Sequence, residues 1–421
     1  MHYTLLALVV FLSGFGSSFS SAETDDAKRL YENYQASIYQ IRLIEKGSGN
    51  KASIGSGFQV SPDGYVISNY HVVADAVNKP DRYLIEYLDA SGEKGELQLV
   101  DVDVIHDLAV LRHGLSGRHW LKLYQGKLFK GTRLFSLGNP HDLGMTVMEG
   151  TYNGLVDGSY YERILFGGSL NPGMSGGPTI NRNGEVVGVN VATAGNQISF
   201  LVPTKYLERL FARAETALEP ELSWNERIEQ QLKLNQQEIF GPLLEAPWPL
   251  EPLGELTVAA EVSDFVKCWG DTDQSEKSLF TVTHRICQME ESIYLGRRLT
   301  TGVFRYEYQW FETESLNQFQ FYNQMQRGFY LEQANSTRKV SVTPFQCEES
   351  FLNSGGVDWK SFLCVRRYKK FPSLFDVSLT MASLAKKNRG LVASLAAAGV
   401  DRANARQMVE RFMESIQWTS L

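Results

Sequence analysis

The segment Asn171-Pro172-Gly173-Met174-Ser175-Gly176-Gly177-Pro178 sets a serine among glycines. A tight turn with so little side-chain bulk can aim backbone N–H groups at one point, which is what the oxyanion of a tetrahedral acyl-transfer intermediate needs. The N–H groups of Gly173 and Ser175 are the expected donors. A serine hydroxyl is a poor nucleophile near neutral pH, so the same chemistry demands a base in hydrogen-bond reach and a third group to orient that base. His71, in Gly64-Tyr65-Val66-Ile67-Ser68-Asn69-Tyr70-His71-Val72-Val73, ends a strand that can present it over a cleft. Asp107, in Ile105-His106-Asp107-Leu108-Ala109-Val110-Leu111, heads an apolar strand and would be partly buried, as an imidazole-orienting carboxylate should be.

The elements that must position these groups are short and β-rich. A helix is expected over Asp25 to Tyr34. Strands are expected at Ser37 to Leu43, Gly57 to Ser61, Tyr65 to Asn69, Tyr83 to Leu88, Gly95 to Asp103, Leu108 to Arg112, Arg133 to Leu137 and Val186 to Val191. Turn residues such as Pro62-Asp63-Gly64 and Asn181-Arg182-Asn183-Gly184 punctuate them, a spacing that predicts an all-β sandwich or barrel. The order His, Asp, Ser along the chain belongs to the chymotrypsin architecture and not to the subtilisin or α/β-hydrolase ones.

Four motifs in sequence carry a resemblance to a known family. They are Gly55-Ser56-Gly57-Phe58 with Asp63-Gly64-Tyr65 and Asn69-x-His71-Val72-Val73; His106-Asp107-Leu108-Ala109-Val110-Leu111; Gly138-Asn139-Pro140 with Thr146-Val147-x-x-Gly150; and Asn171-Pro172-Gly173-x-Ser175-Gly176-Gly177-Pro178. Residues 37–205 resemble the protease domain of the HtrA/Deg family of chymotrypsin-fold serine proteases. The resemblance implies Ser175 as nucleophile, His71 as general base and then acid, Asp107 as orienter, and no cofactor. It also implies that Val189, Asn190, Val191 and Thr193 lie on an edge strand that pairs with substrate backbone. Ser169 would sit at the base of the primary specificity pocket. A preference for Lys or Arg would need a buried carboxylate there, so cleavage is expected after small or medium apolar residues. The chain departs from the family at Phe166-Gly167-Gly168-Ser169-Leu170, and it shows no Gly-Leu-Gly-Val-type loop of a PDZ domain, so properties that depend on that domain are not carried over.

A chain of 421 residues with 43% apolar and 21% charged residues is expected to hold two or three folded domains. The expected division is a signal peptide over 1–22, a double β-barrel protease domain over 23–212, a helical and Pro-rich linker over 213–255, and a separate α+β domain over 256–421. The apolar run Leu5 to Leu12 and the small residues ending Ser20-Ser21-Ala22 predict secretory cleavage after Ala22, hence a periplasmic or secreted protein with no stable membrane span. Prolines 242, 247, 249 and 252 predict a stiff linker. Beyond it, Phe304, Tyr306, Tyr308 and Trp310 alternate as in a half-buried strand, and Phe319 with Phe321 suggests a second. Ala405 to Ile416 reads as a helix capped by Asp401.

All four cysteines lie in this last domain, with no C-x-x-C pair, so disulfides Cys268–Cys287 and Cys347–Cys364 are expected rather than a metal site. His106, His113, His119 and His141 show no metal-ligand spacing and read as solvated loop residues. A net charge of −7, without a basic stripe, argues against nucleic acid as a partner. The function expected is a serine endopeptidase acting on exported or misfolded proteins through an acyl-enzyme. The competing expectation is a catalytically silent, chaperone-like binding protein that keeps the fold. The C-terminal domain is a candidate to bind a partner protein.

Overall fold

The computed structural model describes residues 22–115, 117–216, 222–273, 279–329, 339–384 and 388–418. The expected signal segment lies outside them but for Ala22. The helix α1 (Ala22–Tyr34) leads into β1 (Ile38–Glu45), β2 (Lys51–Gln59), β3 (Tyr65–Ser68), the helix α2 (Tyr70–Asn78), β4 (Tyr83–Leu88), β5 (Lys94–Glu96), β6 (Gln98–Asp103) and β7 (Leu108–Arg112). These strands form one antiparallel sheet in the order β5-β4-β1-β2-β3-β7-β6. The turn at Pro62-Asp63-Gly64 joins β2 to β3 and uses Gly64 at φ +81°.

A second set follows: β8 (Arg133–Gly138), β9 (Thr146–Leu155), β10 (Ile164–Phe166), β11 (Pro178–Ile180), β12 (Val186–Gly195) and β13 (Ile198–Pro203). They close into a barrel, β10-β13-β12-β11-β8-β9. The two lobes are the chymotrypsin-like pair the sequence predicts. Phe58, Ile67 and Leu108 of the first share a core with Phe135, Val189 and Val202 of the second. Because the apolar residues of both lobes meet there, the cleft between them is rigidly backed.

The proline-rich stretch is not a free linker. After α3 (Thr204–Thr216), a capping box at Ser223 and Glu226 starts α4 (Trp224–Glu245), whose last turn carries Pro242. Ile228, Leu232, Ile239 and Phe240 of α4 join one core that runs from Tyr39 and Val66 of the protease lobe to Phe304 and Tyr306 beyond. Pro252 lies in β14 (Leu250–Leu253), an edge strand, where a missing N–H costs little. Burial of the α4 stripe is what converts an expected spacer into a packed element.

The C-terminal domain contains β15 (Leu256–Ala259), β16 (Val266–Asp273), β17 (Thr281–Met289), β18 (Ile293–Gly296), β19 (Leu299–Thr301), β20 (Phe304–Glu312), α5 (Gln318–Gly328), β21 (Gln346–Ser354), β22 (Val357–Arg367), β23 (Phe375–Ser383), β24 (Arg389–Val400), α6 (Arg402–Glu414) and β25 (Gln417–Trp418). Its main sheet is antiparallel, β16-β17-β20-β24-β23-β22-β21. The aromatic alternation of β20 is buried as expected, with Phe412 of α6 stacked on Tyr308 at 5.6 Å. Phe319 and Phe321 correct the expectation of a second strand. A capping box at Asn317 and Gln320 makes α5 instead, and its helical period buries Phe321 with Met325 while leaving Phe319 exposed. Both cysteine pairs form as expected, across β16 and β17 and across β21 and β22, with the bonded residues in register.

Candidate active site

His71 lies in the first turn of α2, directly after β3. Asn69, the residue before that helix, and Tyr70 both donate to the Asp107 carbonyl, at 2.7 and 3.2 Å. Asp107 itself has φ +59°, a conformation Asp tolerates better than most residues, and this turns its carboxylate back onto the helix start. The carboxylate then accepts the His71 backbone N–H at 2.8 Å and contacts His71 Nδ1 at 2.6 Å. An ionised carboxylate can only accept, so Nδ1 carries the proton and the neutral imidazole presents a bare Nε2. Burial opposes the charged imidazolium, but the charge and hydrogen bond of Asp107 outweigh it and raise His71 above its ordinary value. Burial holds Arg163 below its ordinary value, against the opposing charges of Asp107 and Glu291.

Ser175 sits in the turn that precedes β11. Around it the backbone donors are assigned: Met174 N to Asn171 O at 3.0 Å, Gly176 N to Asn190 O at 2.9 Å, and Gly177 N to Met174 O at 3.0 Å. In the same turn the N–H groups of Gly173 and Ser175 have no protein acceptor among the described residues. The Pro172 carbonyl accepts from His141 N at 2.8 Å. Because a trans peptide points its C=O and N–H in opposite directions, Gly173 N–H faces away from the 139–144 loop. Gly173 has φ +100°, and a Cβ there would lie 2.4 Å from the Asn139 carbonyl, so only glycine fits.

Ser56 clamps this turn from the other lobe. Its N–H donates to Ser175 O at 2.7 Å, its hydroxyl donates to Gly173 O at 2.7 Å, and the same hydroxyl accepts from Asn139 N at 3.0 Å. Its place between Gly55 and Gly57 was the sequence signal for it. The hydroxyl of Ser175 contacts the Val191 carbonyl at 3.5 Å and makes no hydrogen bond to His71. Beside it opens a cavity of about 240 Å³ lined by Leu170, Asn171, Pro172, Ser175, Asn190, Val191 and Thr193. No acid lines it. Leu170, not Ser169, contributes from that segment.

Two expected edge-strand residues are placed differently. Val189 pairs with Pro178 on one side and Val202 on the other, and Asn190 gives its N–H to Gly177 O while its side chain bonds Thr179 and the Met174 carbonyl. Both are fully buried. Pairing with β11 ends there, so the free edge begins at Val191 and continues through Thr193.

The other histidines divide. His119 and His141 are exposed, as expected. His113 is buried, bonded through Nε2 to Gln59 at 3.1 Å, and His106 pairs with Asp103 at 2.7 Å while stacking on Tyr206. Among the described residues no group of His, Cys, Asp or Glu could hold a metal ion. One aromatic side chain from outside the protease lobes reaches the site. Tyr294, on β18, sets its ring 6.2 Å from that of His71 at 81°.

The comparisons with known proteins fall on the same region of the chain. Residues 55–189, which contain His71, Asp107 and Ser175, match the family described as "Trypsin-like peptidase domain". The chain is 30% identical over 221 residues to a "probable periplasmic serine endoprotease DegP-like" of Ectopseudomonas mendocina, covering 50% of this chain and 45% of that one. It is 36% identical over 145 residues to a protein of the same description from Brucella suis, covering 33% and 27%. A solved structure described as the serine endoprotease from Yersinia pestis aligns over 45% of this chain and 66% of that one, at 23% identity and a TM-score of 0.40. Residues 55–189 thus match a trypsin-like peptidase domain. The curated relatives matched are described as DegP-like serine endoproteases. The aligned region spans less than half the length of these curated relatives.

Proposed function

We propose that the chain is a serine endopeptidase in which Ser175 is the nucleophile, His71 the general base and acid, and Asp107 the group that orients His71. A peptide enters by pairing with the free edge from Val191 to Thr193 and sets the side chain before the cut in the cavity beside Ser175. His71 Nε2 takes the Ser175 proton as Oγ attacks the carbonyl carbon. The carbonyl oxygen becomes an oxyanion held by the Gly173 and Ser175 N–H groups. His71 then protonates the departing amine, leaving an ester on Ser175. Water repeats the sequence, giving up its proton to Nε2, and the acid product leaves with Ser175 restored. Every proton is carried by His71, so this route calls for no metal or cofactor.

The observation that carries this reading is the pair of unsatisfied N–H groups flanking one serine, opposite an imidazole whose tautomer an acid fixes. An acid-free cavity with Leu170 on its wall supports cleavage after small or medium apolar residues. Relatives described as periplasmic support the periplasm as the site of action. Exported or misfolded proteins are the substrates this reading assigns. No helix among the described residues is long and apolar enough to cross a membrane.

The second reading, a silent binding protein, draws on the Ser175 hydroxyl facing Val191 instead of His71. A fluorophosphonate probe separates the two. Labelling of the full chain that disappears in Ser175→Ala supports the enzyme, and a chain that takes no label under peptidase conditions supports the binding protein.

A further inference from the structure

The hairpin of β18 and β19 belongs to the C-terminal domain by sequence and by core, yet it docks on the helix that carries His71. Ile293 and Leu295 are buried in the shared core, and Tyr294 between them is partly buried against its edge. There its ring meets His71 at 6.2 Å and Tyr70 at 6.5 Å, edge to face in both cases.

The hairpin is fastened along the helix. The Leu295 carbonyl accepts from Tyr70 Oη at 3.1 Å and from Asn78 Nδ2 at 3.0 Å, at the two ends of α2, about two turns apart. Arg297 reaches Asp75 at 3.1 Å and donates to the Ala52 carbonyl at 2.7 Å. Lys370, from elsewhere in the same domain, donates to the Asn78 carbonyl at 2.9 Å. Glu291, just before the hairpin, accepts from Tyr160 N at 3.4 Å in the loop between β9 and β10.

We propose that Tyr294 is a positioning residue for the His71 imidazole, contributed to the protease site by the C-terminal domain. Asp107 fixes Nδ1 but leaves the ring free to swing about that hydrogen bond. A packed aromatic edge removes that freedom and covers the imidazole from water on one side. Proton transfer from Ser175 needs Nε2 in a narrow position, and displacements of about 1 Å can cost up to about 100-fold in rate. The trypsin-like domain is thus incomplete without the hairpin. This inference rests on His71 acting as the base for Ser175.

The test uses the full chain and saturation kinetics of a fluorophosphonate probe, which give the limiting rate of Ser175 labelling and the half-saturating concentration separately. Tyr294→Ala is expected to lower the limiting rate about 10-fold, with the half-saturating concentration unchanged. Tyr294→Phe keeps the ring and should label as the parent does. A thermal melt of each variant checks that it is folded. Parental labelling by Tyr294→Ala overturns the proposal, as does an equal loss in Tyr294→Phe. A parent chain that takes no label, or keeps it in Ser175→Ala, overturns the nucleophile reading instead, and this inference falls with it.

Discussion

Asp107 holds His71 at two points at once, accepting the backbone N–H through Oδ1 at 2.8 Å and meeting Nδ1 through Oδ2 at 2.6 Å. The first contact fixes where the residue begins its helix, and the second fixes which ring nitrogen is protonated. Asp107→Asn keeps the shape but can offer its amide N–H to Nδ1, which stabilises the wrong tautomer. Peptidase activity should fall about 10⁴-fold, the size of effect seen when such an acid is amidated. Steady-state kcat at neutral pH checks this, and a loss below 10-fold would show that Asp107 does not orient the base.

The same pairing sets the pH dependence. His71 works as a base only when neutral, and Asp107 raises its pKa above the ordinary 6.5. The acid limb of kcat/KM should therefore fall at a pH above 6.5, and activity should rise as pH rises through it. Stability runs the other way. A group whose folded pKa is raised stabilises the fold fully below its unfolded value and ceases to do so as pH rises through the folded one. In Asp107→Asn both the raised limb and that stability increment should disappear. A kcat/KM profile with its acid limb below 6.5 would contradict the assignment.

Gly173 offers a steric test of the oxyanion site. With φ +100° and the Asn139 carbonyl 2.4 Å from a Cβ, Gly173→Ala must rotate the peptide that aims the Gly173 N–H. The expected outcome is a loss of about 10²–10³ in kcat, the usual cost of one such donor, with little change in KM. An unchanged kcat would mean that this N–H does not face the reacting carbonyl.

How much of this was legible depended on whether a residue's role is set locally. His71, Asp107, Ser175 and Gly173 stand in short motifs whose turn chemistry is written in neighbouring residues. Tyr83–Leu88 and Leu108–Arg112 have the bounds expected because turn residues flank them. Val189 and Asn190 could not be separated from Val191, since being paired on both edges depends on where β11 ends. Phe319 and Phe321 were two apart, which suits a strand, but the capping residues Asn317 and Gln320 decided for a helix. Pro242 marks a break in sequence, yet α4 keeps it because its apolar stripe is buried between the two domains. Tyr294 carries no motif. Its position beside His71 follows from docking a domain that lies far downstream.

That docking can be tested through Asp101, a fully buried carboxylate on β6. It bonds Arg213 of α3 at 2.5 Å and also Arg227 of α4, so one acid ties the protease lobe to the helix leading into the C-terminal domain. Burial already pulls Arg227 below its ordinary value, and the charge of Asp101 opposes that pull. Asp101→Ala leaves two cations without this partner and a void beneath them. Removing one member of a buried pair costs about 3–5 kcal/mol, although the half-exposed Arg213 can recover solvation and moves the expectation to the lower end, about 3 kcal/mol. Urea unfolding measures this as a drop in midpoint with the slope preserved. Losing Arg227 as well, in Asp101→Ala with Arg227→Met, should restore part of the stability, because an apolar side chain does not need the missing charge. If the double variant is no more stable than the single one, unpaired charge is not the source of the loss, and α4 is held by its apolar stripe alone.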